Sequence, residues 1–199
     1  MYPYKPLRIG LFGGSFNPPH LGHNYLAKYA IKKLKLDWLI FIPAYQSVEK
    51  PKNIYASAAD RLQMINLSFP KKKTIVSSFE LNLQQAVESI ITVKHFKNLF
   101  SSSDLYFLFG EDHCPTLHTW ENIRELFSLA SPVMFKRNKP FSLEKTLSYF
   151  EKLEISNVQI LNNCYVPFSS SQFRTFGKKK FLHKNVQKYI KSKKLYLHT

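Results

Sequence analysis

The sequence predicts an α/β fold, a doubly wound parallel sheet with helices on both faces. Two observations carry that expectation. Short apolar runs alternate along the chain with longer segments whose apolar residues recur at helical spacing. The runs are also continuously apolar, without the in-and-out alternation of a half-solvated sheet, which marks strands buried on both sides. No internal repeat, low-complexity segment or long linker interrupts the 199 residues. One domain over 1–199 is therefore expected, with a C-terminal helical part from about 168 to 199 packed on it.

The elements follow in order. Leu7–Phe12 reads as a buried strand that stops at Gly13-Gly14. His20–Lys35 reads as a helix, with Pro18-Pro19 suited to its start and Leu26, Ala30, Ile31 and Leu34 as its stripe. Trp38–Ile42 is a second strand ended by Pro43, and 44–56 a polar loop. Ser57 to Asp60 has the pattern of a capping box opening a helix to about Leu67. Thr74–Val76, Leu105–Phe109, Val133–Phe135 and Val158–Leu161 complete the strands. Ser89–Phe100, Trp120–Leu129, Ser142–Leu153, Ser170–Phe176 and Lys184–Ser192 complete the helices. The first and fourth strands should be neighbours, bringing the loops 13–20 and 110–113 to one edge at the point where strand order reverses.

The net charge of +16 invites a nucleic-acid reading, but 24 of the 29 basic residues are Lys and they are scattered. Base and phosphate readers lean on Arg forks, so the charge reads as a solvated lysine-rich surface and nucleic acid is not the expected partner. Cys114 and Cys164 are too few for a disulfide framework. The N-terminal segment has no signal-peptide pattern, and the apolar run Trp38–Ala44 is too short to cross a bilayer. A cytoplasmic protein without a membrane partner is expected; a homo-oligomer is left open.

The chemistry concentrates first in Gly13-Gly14-Ser15-Phe16-Asn17-Pro18-Pro19-His20-Leu21-Gly22-His23. Ligands of open parallel sheets bind beyond the carboxyl ends of strands. Gly13 and Gly14 are expected to take backbone geometries closed to other residues, letting phosphate oxygens reach main-chain N–H groups. The helix start adds partial positive charge. Spacing of three puts His20 and His23 on one face, and Gly22 is expected to leave room for a nucleotide against the helix. No GK[ST] follows, so this is not a Walker loop, and GxGxxG is absent.

A second cluster is Ser169-Ser170-Ser171-Gln172-Phe173-Arg174, where small hydroxyls precede a short helix and Arg174 could fork onto a phosphate. His113, Cys114 and His118 fit no standard zinc spacing, and no metal site is expected.

Gly-Ser-Phe-Asn-Pro followed by His-x-Gly-His resembles the HxGH nucleotidyltransferase superfamily, which shares that motif with class I aminoacyl-tRNA synthetases. The resemblance implies a Rossmann-like fold in which Gly13, Gly14, Ser15, Phe16, His20 and His23 hold ATP phosphates. Ser169 to Arg174 is similar to the superfamily's Ser-Ser-Thr-x-x-Arg, with Ser171 where Thr is usual. Phe109-Gly110-Glu111-Asp112 and then Trp120 resemble the Gly-x-Asp and Trp of bacterial nicotinate mononucleotide adenylyltransferases. That resemblance implies that Gly110 and Asp112 hold a ribose of ATP and that Trp120 stacks on the pyridine ring, which suits a carboxylate and a flat indole. Lys50 matches the cation of that family's Asn-Pro-x-Lys, though Ser47-Val48 replaces Asn-Pro. Ser89 falls in a counterpart of Tyr-Thr-x-x-Thr, with Glu88 before it. Lys50, Ser89, Ser15 and Trp120 are the expected mononucleotide contacts. The similarity runs from about Leu7 to Tyr196.

The implied partners are ATP, with Mg²⁺ on its triphosphate, and nicotinate mononucleotide. The implied reaction is adenylyl transfer with release of pyrophosphate. His20, His23 and Arg174 are the expected catalytic side chains. Phosphopantetheine adenylyl transfer is the runner-up, since it shares both phosphate motifs. A nucleic-acid-binding protein on the same fold is the non-enzyme alternative.

Overall fold

A computed structural model describes residues 5–46, 56–69, 72–136, 142–162, 166, 169–177 and 179–196. Its strands are β1 (Arg8–Gly14), β2 (Trp38–Pro43), β3 (Thr74–Val76), β4 (Asp104–Gly110), β5 (Ser131–Phe135) and β6 (Gln159–Leu161). Its helices are α1 (Leu21–Lys33), α2 (Ala58–Ser68), α3 (Phe79–Asn82), α4 (Ser89–Leu99), α5 (Ile123–Leu129), α6 (Leu143–Lys152), α7 (Ser170–Phe176) and α8 (Lys184–Ser192). All strand pairings are parallel, in the order β3-β2-β1-β4-β5-β6. Chain order reverses between β1 and β4, which are adjacent as the sequence requires.

The strands are apolar throughout because both faces are covered. Ile9, Leu11, Leu105, Phe107 and Phe109 point to the face packed by α4, α5 and α6. Phe12, Leu39, Phe41, Tyr106 and Leu108 point to the opposite face, where α1 and the Ile65–Phe69 end of α2 lie. A third cluster joins α2 to the C-terminal helices through Met64, Phe173, Leu182, Val186 and Ile190. Helix α2 is therefore wedged between two cores.

Several boundaries differ from the sequence reading, for local reasons. β1 runs on through Gly13 and Gly14, which pair with Ile42 and Pro43. α1 begins at Leu21, with His20 as its N-cap. Trp120 is not helical: residues Glu111–Thr119 form a 3-10 helix containing Pro115, and the Trp120 N–H closes its last turn on the Leu117 carbonyl. Asn122, with φ of 49°, then turns the chain into α5. Ser57 caps α2 as expected, while its hydroxyl donates to the Asp60 carboxylate at 2.6 Å. The four-residue α3 has too little length to leave a periodic signal.

Short α3 buries the Glu80 carboxyl, which accepts from the Thr92 hydroxyl of α4 at 2.6 Å. Burial pushes its pKa up, and the Thr92 bond only partly opposes that. A raised carboxyl pKa means the folded state holds the proton more tightly than the unfolded chain, so stability falls as pH rises through the folded value. Glu80→Gln keeps an acceptor for Thr92 and removes the charge. It should melt about 2–4 °C higher at pH 7.5, for a gain on the order of 1 kcal/mol. The gap should close as pH falls into the carboxylate range. A variant that melts lower at pH 7.5 in a calorimetric scan would show the ionised carboxylate to be stabilising.

Candidate active site

The register fixes where the site lies. Phe12 pairs with Leu108, so Gly14 and Gly110 each end their strands two residues further on, side by side at one sheet edge. The β1–α1 turn and the 3-10 helix carrying Asp112 both start there. Asp112 is exposed on that helix.

The turn from Ser15 to His20 is held by its own carbonyl groups. Arg61 of α2 donates to the Ser15 carbonyl at 2.9 Å. Arg174 of α7 donates to the Asn17 carbonyl at 2.6 Å, and the Ser170 hydroxyl to the Pro18 carbonyl at 2.8 Å. The Tyr196 hydroxyl donates to Asn17 Oδ1 at 2.7 Å. Gly14 gives its carbonyl to the Ala44 N–H at 3.0 Å. These bonds engage the oxygens of Ser15, Asn17 and Pro18 with protein donors, and amide hydrogens are what an anion needs from such a turn. The Asn17-Pro18 peptide is cis.

The glycines act differently from the sequence reading. Neither Gly13 nor Gly14 has a positive φ; the left-handed residue is Phe16, at 46°. That conformation costs a bulky residue about 1–3 kcal/mol, and burial of its ring against Phe12, Phe41, Phe69 and His23 offsets it. A Cβ on Gly13 would meet nothing within 4 Å, so approach to the backbone is open there. Gly22 leaves no room for a nucleotide. A Cβ on it would lie 2.5 Å from Val166 Cγ1 and 2.9 Å from His20 Nδ1. Its absent side chain makes space for the His20 ring.

His20 and His23 form a reciprocal capping box. The His23 N–H donates to His20 Nδ1 at 3.3 Å, and the His20 N–H to His23 Nδ1 at 3.2 Å. Their rings stack with centroids 3.7 Å apart. Since each Nδ1 accepts from an amide, each ring carries its proton on Nε2. Two imidazole donors are thus held in parallel at a helix N-terminus, next to the turn. Acidic residues are absent from the first turn of α1.

Helix α7 docks beside this pair. Ser169 caps it, with Gln172 completing a second capping box. Arg174, half-buried, reaches Ser171 Oγ at 3.0 Å as well as the Asn17 carbonyl. The Tyr196 phenol is pushed well above its usual pKa by burial, which the neighbouring Arg174 and Arg61 partly oppose. It stays a neutral donor to Asn17.

Trp120 is half-buried. Its indole meets Phe107 at 6.0 Å and 87°, and Phe109 at 6.3 Å and 60°. Ser89, also half-buried, is the first residue of α4, and Ile90 of that helix joins the same cluster as Phe107 and Phe109. Glu88 is the N-cap and makes no side-chain capping bond. Lys50, Ser47-Val48 and Cys164 lie outside the described residues. Cys114 faces the core, 3.4 Å from the Met134 sulfur, and burial followed by the Glu111 and Asp112 charges pushes its thiol up to about 12. No helix among the described residues is long and apolar enough to cross a membrane.

Arg61 is the site residue that sequence reasoning missed. It is 2% exposed and lies at the heart of the two-loop junction. A signal was present: Arg61, Met64, Ile65 and Ser68 recur at the spacing of the buried face of α2.

The reciprocal histidine cap lies at the switch point of the sheet, and the chain belongs to the cytidylyltransferase-like family, whose profile matches residues 11–176. A Mycoplasma genitalium protein described as "probable nicotinate-nucleotide adenylyltransferase/Ap4A hydrolase" is 37% identical over 96% of this chain, which spans only 52% of that relative. A "probable nicotinate-nucleotide adenylyltransferase" of Methylacidiphilum infernorum is 33% identical over 96% of this chain and 92% of its own. The fold matches Plasmodium falciparum nicotinic acid mononucleotide adenylyltransferase complexed with NaAD, with TM-score 0.76, 18% identity, and 97% and 98% of the two chains covered. The chain belongs to one family with these relatives described as nicotinate-nucleotide adenylyltransferases.

Gly22→Ala tests the histidine arrangement. Alanine gains about 1 kcal/mol of helix propensity, against about 1–3 kcal/mol for overpacking on His20 and Val166. Net stability should therefore change by less than about 2 kcal/mol. Turnover should fall at least about tenfold, since misplacing a reacting contact by about 1 Å can cost 10². A folded Ala variant with wild-type turnover would show that the His20 ring need not sit where it does.

Proposed function

We propose that the chain transfers the adenylyl group of ATP to nicotinate mononucleotide, giving deamido-NAD and pyrophosphate, through the residues at the β1–β4 edge. The observation that carries this reading is the convergence of His20, His23, Ser170 and Arg174 on one strand-end turn whose carbonyls already face protein donors.

The reaction is in-line displacement at the α-phosphorus. A phosphate oxygen of the mononucleotide forms the new P–O bond, and the bond to the β,γ-pyrophosphate breaks. The nucleophile is already anionic, so alignment and neutralisation of charge suffice. The Gly13–Phe16 backbone and the Nε2–H groups of His20 and His23 would meet the α-phosphate region. Ser169, Ser170 and Arg174 would take the departing pyrophosphate. Mg²⁺ belongs to the triphosphate as it arrives: the side chains around the turn are hydrogen-bond donors and a cation, which suit phosphate oxygens rather than a metal. Gly110 and Asp112 would hold the ribose.

The acceptor would lie towards α4 and Trp120, with Ser15 and Lys50 on its phosphate. The first amides of α4, beginning at Ser89, suit the carboxylate of nicotinate better than a neutral amide. Glu88 must keep its own carboxylate turned away. With this activity the protein would work in the cytoplasm, where its nucleotide substrates are.

Pyrophosphate release with ATP tests the reading. Nicotinate mononucleotide should support it, while nicotinamide mononucleotide and phosphopantetheine should be poor acceptors. Efficient turnover of phosphopantetheine would overturn the assignment.

Trp120→Ala should raise the acceptor KM about 5- to 150-fold, the equivalent of about 1–3 kcal/mol of ring stacking. The ATP KM should stay within about threefold, because the phosphate turn is separate. Since the indole is only half-buried, the stability loss should fall short of the about 3–5 kcal/mol typical of a core aromatic. Both KM values and a melting curve on one purified variant decide the matter. A large loss of stability with unchanged acceptor KM would make Trp120 a packing residue.

A further inference from the structure

Arg61 combines features that a structural arginine does not need. Its side chain is buried, and none of the ion pairs among the described residues involves it. Among the described residues its guanidinium hydrogen-bonds only to main-chain oxygens: Nη1 donates to the carbonyls of Ser15 and Ala44, Nη2 to that of Tyr45 at 3.1 Å, and Nε has no hydrogen-bond partner there. Ser15 opens the β1–α1 turn, whereas Ala44 and Tyr45 open the connection from β2 to α2. A buried cation without a counter-charge is costly, and an apolar side chain of similar volume would usually serve stability better. Burial indeed lowers the pKa of Arg61.

The rest of α2 holds this group rigidly. Met64 and Ile65 are fully buried in the two cores that flank the helix. Asp60, beside Arg61 in sequence, accepts from Ser57 at 2.6 Å and from Tyr189 of α8 at 2.8 Å. The guanidinium therefore has one available position, and both loop starts are referred to it.

We infer that Arg61 is a positioning residue for the transfer step: its fork sets the separation of the Ser15 turn and the Ala44–Tyr45 turn, and its positive charge lies beneath the anions that meet between them. This rests on the adenylyl-transfer reading. Three carbonyls on two loops need the planar, five-donor geometry of guanidinium; an ammonium is a point charge that cannot span them in the same way. Among the described residues the charge has no ion-pair partner, and arriving phosphates would supply one. Arg61 thus couples ATP-side geometry to acceptor-side geometry without touching either substrate.

The test uses the whole chain with ATP and nicotinate mononucleotide, comparing wild type, Arg61→Lys and Arg61→Ala. Wild-type turnover comes first; its absence would count against the adenylyl-transfer reading itself. Given an active wild type, kcat of Arg61→Lys per folded molecule should fall about 10- to 100-fold, the scale of an ångström of misalignment. The ATP KM should move less than about threefold, since the histidine and α7 contacts remain. Methylguanidinium in the millimolar range should restore at least about tenfold of the kcat lost in Arg61→Ala, while methylammonium should not, because only the former reproduces the fork. Circular dichroism and melting curves give the folded fraction. Wild-type kcat in folded Arg61→Lys would overturn the inference. So would a loss explained wholly by the unfolded fraction, or a failure of methylguanidinium to rescue folded Arg61→Ala.

Discussion

Four carbonyl or amide oxygens between Ser15 and Pro18 are claimed by side chains from three distant parts of the chain: Arg61 from α2, Ser170 and Arg174 from α7, and Tyr196 from beyond α8. That constraint organises the rest of the site. Oxygens already held by protein donors are not left to repel an arriving anion. The left-handed Phe16 persists because the surrounding donors and the buried ring leave it no alternative. The C-terminal helices are consequently part of the site. Removing α7 would take two of the three anchors of Asn17 and Pro18, and removing the Tyr196 turn would take the third.

The histidine pair is a second consequence of local backbone physics. A residue at the N-cap and one at N3 can each accept the other's backbone N–H, which requires spacing of three and explains His-x-x-His. A serine and a glutamate would cap equally well. Imidazole adds a second nitrogen on the far side of the ring, so satisfying the helix end with Nδ1 commits Nε2 to carrying the proton. The same bond that stabilises α1 thus orients a donor. Gly22 completes the arrangement by keeping a methyl group out of the space the His20 ring fills.

Much of this was legible in the chain. Continuously apolar runs separated by helical segments required a parallel sheet covered on both faces, and the meeting of residues 13–20 and 110–113 at one edge followed from strand order. The His-x-Gly-His spacing was read for shared direction, and the stacked rings bear that out. What sequence could not supply was contact over long separations. Nothing near Tyr196 announces that its hydroxyl lies 2.7 Å from Asn17, 179 positions away. The glycines misled because their types allow several roles: Gly13 and Gly14 turned out to be ordinary strand residues, and Gly22 to accommodate a ring. The sequence extends the helix back to Trp120 because the apolar period after it is genuine, but Pro115 and Asn122 place it in the link between two helices. Arg61 was visible only as a cation on the buried stripe of α2, a pattern noticed once its partners are known.

In the proposed transfer both His20 and His23 would present an Nε2–H to phosphate, with Nδ1 held by the helix end. Nitrogen-15 NMR of histidine-labelled protein measures this directly, with His20 and His23 assigned by single substitutions. Both rings should show a pyridine-type Nδ1 and a protonated Nε2, and a non-hydrolysable ATP analogue should shift the Nε2 resonances while leaving each Nδ1 nearly unmoved. A proton on Nδ1 in either ring, or Nε2 signals indifferent to saturating analogue, would contradict the account.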